Sequence, residues 1–380
     1  MNRRSFLVGT SALGAAHYVA PLLAAQQKPI NDYTQPLKRT FEFTHEYNLK
    51  APYGASGETR LWVPLIENTA PFQTLTNLRW SGNYEDAYIA TEPIFGAQSL
   101  YVKWPSSSDI LHLKVTMKIQ TQSWEPAKRG DLSNYTAPTV INYPKELDLY
   151  LRSSRHIPTD GIVKQIATDI VGNEHNPLIK AQLIHNWVAA NMERDNSVIG
   201  CGIGDVGEIL TTGKLYGKCT DINSVFVALA RAAGIPAREM FGIRLGRPGE
   251  YLEKRSRTAF GSASKNGHAS ITDWQHCRAQ FYLAGYGWVP CDPADVTKLR
   301  LTENLSNDDK IFKEVNEYMF GNWDMNWVGF NYARDFSLSP KPEQYPMNNY
   351  GYPYAEVGGD PIDYYDFKNF SYEYSSVEEA

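Results

Sequence analysis

Cysteine is scarce in this 380-residue chain, which carries only Cys201, Cys219, Cys277 and Cys291. Four thiols so scattered are too few for a disulfide framework, and no C-x-x-C pair is there to hold zinc. Basic charge is not concentrated. The formal net charge is −5 and no stripe of Lys and Arg stands out, so a nucleic-acid partner is excluded. Long apolar runs are missing too: the weakly apolar stretch near the N-terminus is broken by Gly9, Gly14, His17 and Pro21, which argues against a membrane span. Internal repeats are absent, as are the carboxylate clusters of a calcium site, so neither a metal nor a cofactor is expected.

Aromatic residues are what the chain has in quantity, at 13% with 24 Tyr, many of them towards the C-terminus. Its length predicts at least two domains, each able to bury a core. The opening residues Met1-Asn2-Arg3-Arg4-Ser5-Phe6-Leu7 read as a twin-arginine export signal over 1–25, with cleavage after Ala24 or Ala25. Loss of Arg3 and Arg4 would leave 35 basic against 42 acidic residues, a net of −7. The expected destination is the periplasm in a Gram-negative host, with no membrane span left after signal removal.

Residues 33–125 read as an antiparallel β-sandwich. Leu111, Leu113, Val115, Met117 and Ile119 alternate with polar neighbours, and weaker alternation marks 41–44 and 61–65. The Pro- and Gly-bearing stretch 126–145 reads as a linker. Helices follow. Ile162, Ile166 and Ile170 share a face that ends at Gly172, and Asn176-Pro177 is an N-cap and first-turn pair opening a second helix. That second helix should bury Leu178, Ala181, Ile184 and Trp187 or Val188. A third helix starts near Cys219, buries Ile222, Phe226 and Leu229 or Ala230, and stops at Gly234-Ile235-Pro236. Strand patterns return at 237–243 and in a hairpin whose arms flank Ala284-Gly285-Tyr286-Gly287, while 246–266 reads as an exposed polar loop.

A thiol at a helix start is where a reactive cysteine should sit. Unpaired N–H groups and the positive end of the helix dipole favour thiolate over thiol. With His276 and Asp292 later in the chain, Cys219 completes a parts list for acyl transfer through a thioester. Pairing the hairpin about its turn sets His276 opposite Asp292 on one face and Cys277 opposite Cys291 on the other. The two cysteines are then a cross-strand disulfide or a pair of buried thiols, the second favoured because such a bridge is strained. His268 is the competing base, and Asp295 competes with Asp292, which could also serve only as a cap before Pro293. Arg231 and Arg238 read as structural.

Three blocks in order, Gly217-Lys218-Cys219-Thr220-Asp221, the run Leu229 to Arg238 with Gly234-Ile235-Pro236, and Gly287-Trp288-Val289-Pro290-Cys291-Asp292-Pro293, together with His276, resemble the transglutaminase-like superfamily. The resemblance covers roughly 150–300. It implies an α+β chain, with the N-terminal sandwich followed at 146–300 by a papain-like core whose catalytic cysteine starts a helix packed on an antiparallel sheet. It also implies Cys219 as nucleophile, His276 as general base and acid, and Asp292 as the group orienting the imidazole.

After the histidine the family commonly has Ala-Trp-Val-Glu, where this chain has Cys277-Arg278-Ala279-Gln280. No tryptophan stands at 198–204 to stabilise an oxyanion. The Cys219 N–H supplies one donor and the second is unassigned. Residues 301–380 read as a Tyr-rich wrap in which Phe370, Tyr372 and Tyr374 suggest a last strand. The expected activity is attack on a peptide or carboxamide, including peptidoglycan peptides, with hydrolysis favoured over protein-glutamine transamidation. A non-catalytic binding module of the cell envelope is the alternative.

Overall fold

The computed structural model describes residues 37–49, 56–106, 111–128, 130–343, 346–363 and 370–379. The leader expected at 1–25 lies outside them. The architecture is the α+β one expected, built from two five-stranded antiparallel sheets facing each other and a four-stranded antiparallel sheet that carries the helices.

Alternation builds the sandwich. Along Leu111–Gln122 the odd-numbered apolar side chains are buried against Phe41, Phe43, Leu61, Val63 and Val102, a dry interior between two sheets. Its strands are not contiguous in sequence, however. Phe370–Glu379 pairs antiparallel with Lys38–Leu49, setting Tyr372 against Tyr47, and His268–Ser270 is added beyond it. Tyr354–Val357 pairs with Thr59–Pro64 in the second sheet. The suggested last strand is thus real, and it docks on the edge of the first N-terminal strand.

The four-stranded sheet runs Gly287–Cys291, Gln275–Leu283, Ala237–Arg244, Trp327–Asn331. Against it lies the central helix, Cys219–Ala232, with every side chain buried. A helix enclosed on all sides has no polar face to show, which explains why Val225, Val227 and Ala228 are as buried as Ile222 and Phe226. The two preceding helices are Gly161–Val171, capped by Gly172, and Pro177–Asn191, where the Asn176 side chain accepts from Leu178 N–H at 2.9 Å. Of the face expected for the first of these, Ile166 and Ile170 pack against the core and Ile162 does not. Val163 and Ala167 are the residues of this helix that are fully enclosed, while Ile162 is exposed.

Two further expectations need correction. Residues 246–266 are not simply an exposed loop: Leu252, Ala259 and Phe260 are buried with Val296, Leu299 and Phe312, so apolar anchors spaced along a polar stretch hold it down. In the hairpin, Ala279 rather than Cys277 lies opposite Cys291, a shift of two residues. Such a shift preserves the faces, so Cys277 and Cys291 still point into the core under the central helix, but they are not partners. All four cysteines are free and buried.

Candidate active site

The start of the central helix is built by Asp221. One carboxylate oxygen accepts from Lys218 N–H at 2.8 Å and the other from Gly204 N–H at 2.8 Å, tying the helix entry to the glycine-rich loop 200–204. A Cβ on Gly202 would stand 1.9 Å from that carboxylate, and φ there is +88°, so only glycine fits. The loop also turns the Cys201 carbonyl onto Thr220 N–H at 2.9 Å.

Cys219, 3% exposed, sits in this corner with its Sγ 4.0 Å from the Cys201 carbonyl. Its thiol is held well below the ordinary value. Hydrogen bonding from Cys201 is the largest cause, followed by Cys277; both oppose burial, and His276 adds a hydrogen bond and its charge. The neighbours move the other way, Cys201 chiefly through its hydrogen bond to Cys219 and Cys277 chiefly through burial. Of the three thiols in the corner, Cys219 is the one whose thiolate the surroundings favour. The Cys201 sulfur also receives the Tyr352 hydroxyl at 3.2 Å.

His276 near the start of its strand meets Asp292 at 2.7 Å, Nε2 to Oδ2. Given the shifted register they are not opposite one another. Asp292 has left the strand and caps the helix Pro293–Thr302, accepting from Asp295 N–H at 3.1 Å with its other oxygen. The two roles weighed for this residue, orienting group and cap, are both filled, one per oxygen. Asp295 stands 3.5 Å from His276 Nε2 and pairs with Arg244 at 2.5 Å. Burial and the Arg244 cation press the imidazole's pKa down, but Asp295 and Asp292 more than reverse them, leaving it above the ordinary value. Asp295 is held well below the carboxylate range by Arg244 and then His276, against burial. Asp292 is raised by burial and by Asp295 beside it.

His268 lies elsewhere, exposed on the sandwich edge opposite Val377. Ligand atoms of His276, Asp292 and Asp295 approach within 4.8 Å of one another, close enough to hold an ion. Arg244, and Arg278 with its Nε 3.5 Å from Asp292, already supply the positive charge a cation would bring.

Several participants escaped the sequence reading. Asn223, one turn beyond Cys219, donates to the Cys277 carbonyl at 2.9 Å and lies 3.4 Å from Asp292, locking helix to strand. Its i,i+4 spacing from the cysteine was the available signal. The indole N–H of Trp327 donates to the His276 carbonyl at 2.8 Å, and that of Trp323 to the Cys291 carbonyl at 3.1 Å. The aromatic, Asn-rich segment 322–327 is thus packing that fixes the strand carrying His276 and the strand end just before Asp292.

Comparison with known proteins gives the family and the fold. The profile of the transglutaminase-like superfamily matches residues 164–293. An uncharacterized protein from Haemophilus influenzae is 56% identical over 336 residues, covering 88% of this chain and 90% of its own. Among solved structures, a protein from Cytophaga hutchinsonii, provisionally described as a cysteine protease, shares the fold. It has a TM-score of 0.53 at 13% identity, over 91% of this chain and 94% of that one. The periplasmic domain of TgpA from Pseudomonas aeruginosa overlaps less well, with a TM-score of 0.31 at 12% identity over 67% of this chain and 89% of that one.

Proposed function

Because this chain belongs to the transglutaminase-like superfamily, we propose that it is an exported thiol enzyme in which Cys219 attacks a peptide or carboxamide carbonyl. The observation that carries this reading is the buried His276–Asp292 hydrogen bond of 2.7 Å beside a thiol whose pKa is held well below the ordinary value. Cys219 Sγ forms the bond to the carbonyl carbon, and the tetrahedral oxyanion accepts from the Cys219 N–H at the helix start. The imidazolium of His276 then gives its proton to the departing nitrogen, the C–N bond breaks, and a thioester remains. Water, or a second amine deprotonated by His276, resolves the thioester. Asp292 keeps the imidazole turned and its positive form stabilised throughout.

Hydrolysis is the favoured outcome, with peptides of the cell envelope as the substrate class. The twin-arginine pair at Arg3-Arg4 supports export, with the periplasm as the destination if the host is Gram-negative. Incubation with cell-envelope peptides followed by intact mass spectrometry tests this. An acyl adduct on Cys219, absent in Cys219→Ala and discharged by water, is expected. Transfer to an added dansylated primary amine in preference to water would assign transamidation instead. Failure of any peptide to acylate a reactive Cys219 would leave a binding module.

A further inference from the structure

Arg238 and Gln280 face each other on neighbouring strands of the four-stranded sheet, on the side turned away from the central helix. There a cavity of about 500 Å³ lies between the sheet and the sandwich, with Phe72, Trp124, Trp288 and Tyr332 among its walls. We propose that this cavity is a second binding site, independent of the chemistry at Cys219, for a small carboxylate carried on a ring or apolar body.

One fixed guanidinium defines it. The Arg238 guanidinium is held between aromatic faces, 3.8 Å from the Trp288 ring centre and 3.4 Å from that of Tyr332. Its Nε donates to the Gln280 side-chain oxygen at 2.8 Å, which fixes both planar groups. Among the described residues the two terminal nitrogens of Arg238 have no hydrogen-bond or ion-pair partner. The Gln280 side chain, with no exposure at all, also lies against the Tyr332 hydroxyl, so it braces Arg238 and Tyr332 rather than offering a donor of its own. A stacked guanidinium loses little freedom on binding and presents a fork matched to a carboxylate.

The walls supply the rest of the chemistry. Rings on several sides favour an apolar or flat body, and the volume falls within the range of small-ligand pockets, roughly 300–1,000 Å³. No carboxylate lines the cavity. Glu67 is close enough to act on the Tyr332 hydroxyl; its Oε1 accepts from Thr69 N–H at 2.9 Å, and its Oε2 is buried without a partner. The cavity is also not an arm of the cysteine corner. Gln280 is four positions from His276 along one strand, about 13 Å at ~3.3 Å per residue. Between them Arg278 lies over Trp327, 4.9 Å from the ring centre.

Calorimetric titration of the full chain tests the proposal, using N-acetylphenylalanine, its carboxamide, and glucuronic acid as probes. A carboxylate should bind at least about tenfold more tightly than the uncharged carboxamide. Alkylating Cys219 should leave that binding unchanged, and Arg238→Gln should weaken it at least about tenfold. Tighter binding of N-acetylphenylalanine identifies a peptide end as the source of the carboxylate, and tighter binding of glucuronic acid a sugar acid. Equal binding of acid and amide, loss of binding on alkylation, indifference to Arg238→Gln, or no saturation by about 10 mM would each overturn it. If melting shows Arg238→Gln to be unfolded, the acid-to-amide ratio in the unaltered chain decides.

Discussion

Asp292 does two jobs with two oxygens, and replacing it with asparagine sets those jobs against each other. Oδ2 accepts from His276 while Oδ1 accepts from Asp295 N–H. An amide has one oxygen. Turned towards the imidazole, it presents its NH₂ to the helix N–H and loses the cap, about 1 kcal/mol. Turned towards the helix, it presents a donor to His276 Nε2–H, and the imidazolium loses a charge-assisted bond of about 1.5–3 kcal/mol. Even the first arrangement removes the negative charge, so the His276 pKa should fall. The Cys219 thiolate, which draws on that positive charge, becomes harder to form. The assay is the rate of Cys219 alkylation by iodoacetamide between pH 5 and 9, followed by intact mass. Asp292→Asn should slow it about tenfold or more on the acid side, with the thiol's apparent pKa displaced upward. An alkylation profile that matches the unaltered protein, together with a collapse in Asp295→Asn, would refute the reasoning and make Asp295 the orienting group.

The pH dependence of turnover carries a sign on each limb. Cys219 is lowered, so thiolate is lost only as pH falls through a value well below 9. His276 is raised, so imidazolium is lost as pH rises through a value above 6.5. The kcat/KM profile should be a bell with limbs in that order, and a single rise centred near the free-thiol value of about 8.5 contradicts it. Trp327→Phe strips the donor from the buried His276 carbonyl and should cost about 1–3 kcal/mol in urea unfolding, with a lower kcat at little-changed KM. Gly202→Ala puts a Cβ 1.9 Å from the Asp221 carboxylate at a φ of +88°. It should destabilise the protein by at least about 2 kcal/mol and slow Cys219 alkylation, because Asp221 must release the helix entry. Unchanged melting in that variant would show the loop to be more pliant than its contacts imply.

Patterns that repeat over short stretches were legible in the sequence. Period-2 alternation gave the strand at 111–122, Asn176-Pro177 and Gly172 marked helix ends, and the blocks around Cys219 and Asp292 pointed to the fold. Those signals are local because backbone geometry and capping depend on neighbours a few residues away. Which residue faces which was not local. Symmetric pairing about the hairpin turn missed the register by two, since strand pairing is also set by the packing of Phe281 and Val289 into the core. Nor could composition show that segment 322–327 would brace the His276 strand, or that residues 370–379 would complete a sheet begun at residue 38.

Taken alone, the sequence determined the residue types of the cysteine corner and the helix that raises Cys219 to its start, because a thiol, a capping acid and an apolar helix are written within a dozen residues. Tertiary structure decided the electrostatics. Burial strengthens every interaction among His276, Asp292, Asp295 and Arg244, and these come together only when a strand, a helix cap and a second strand from separate parts of the chain share one buried volume.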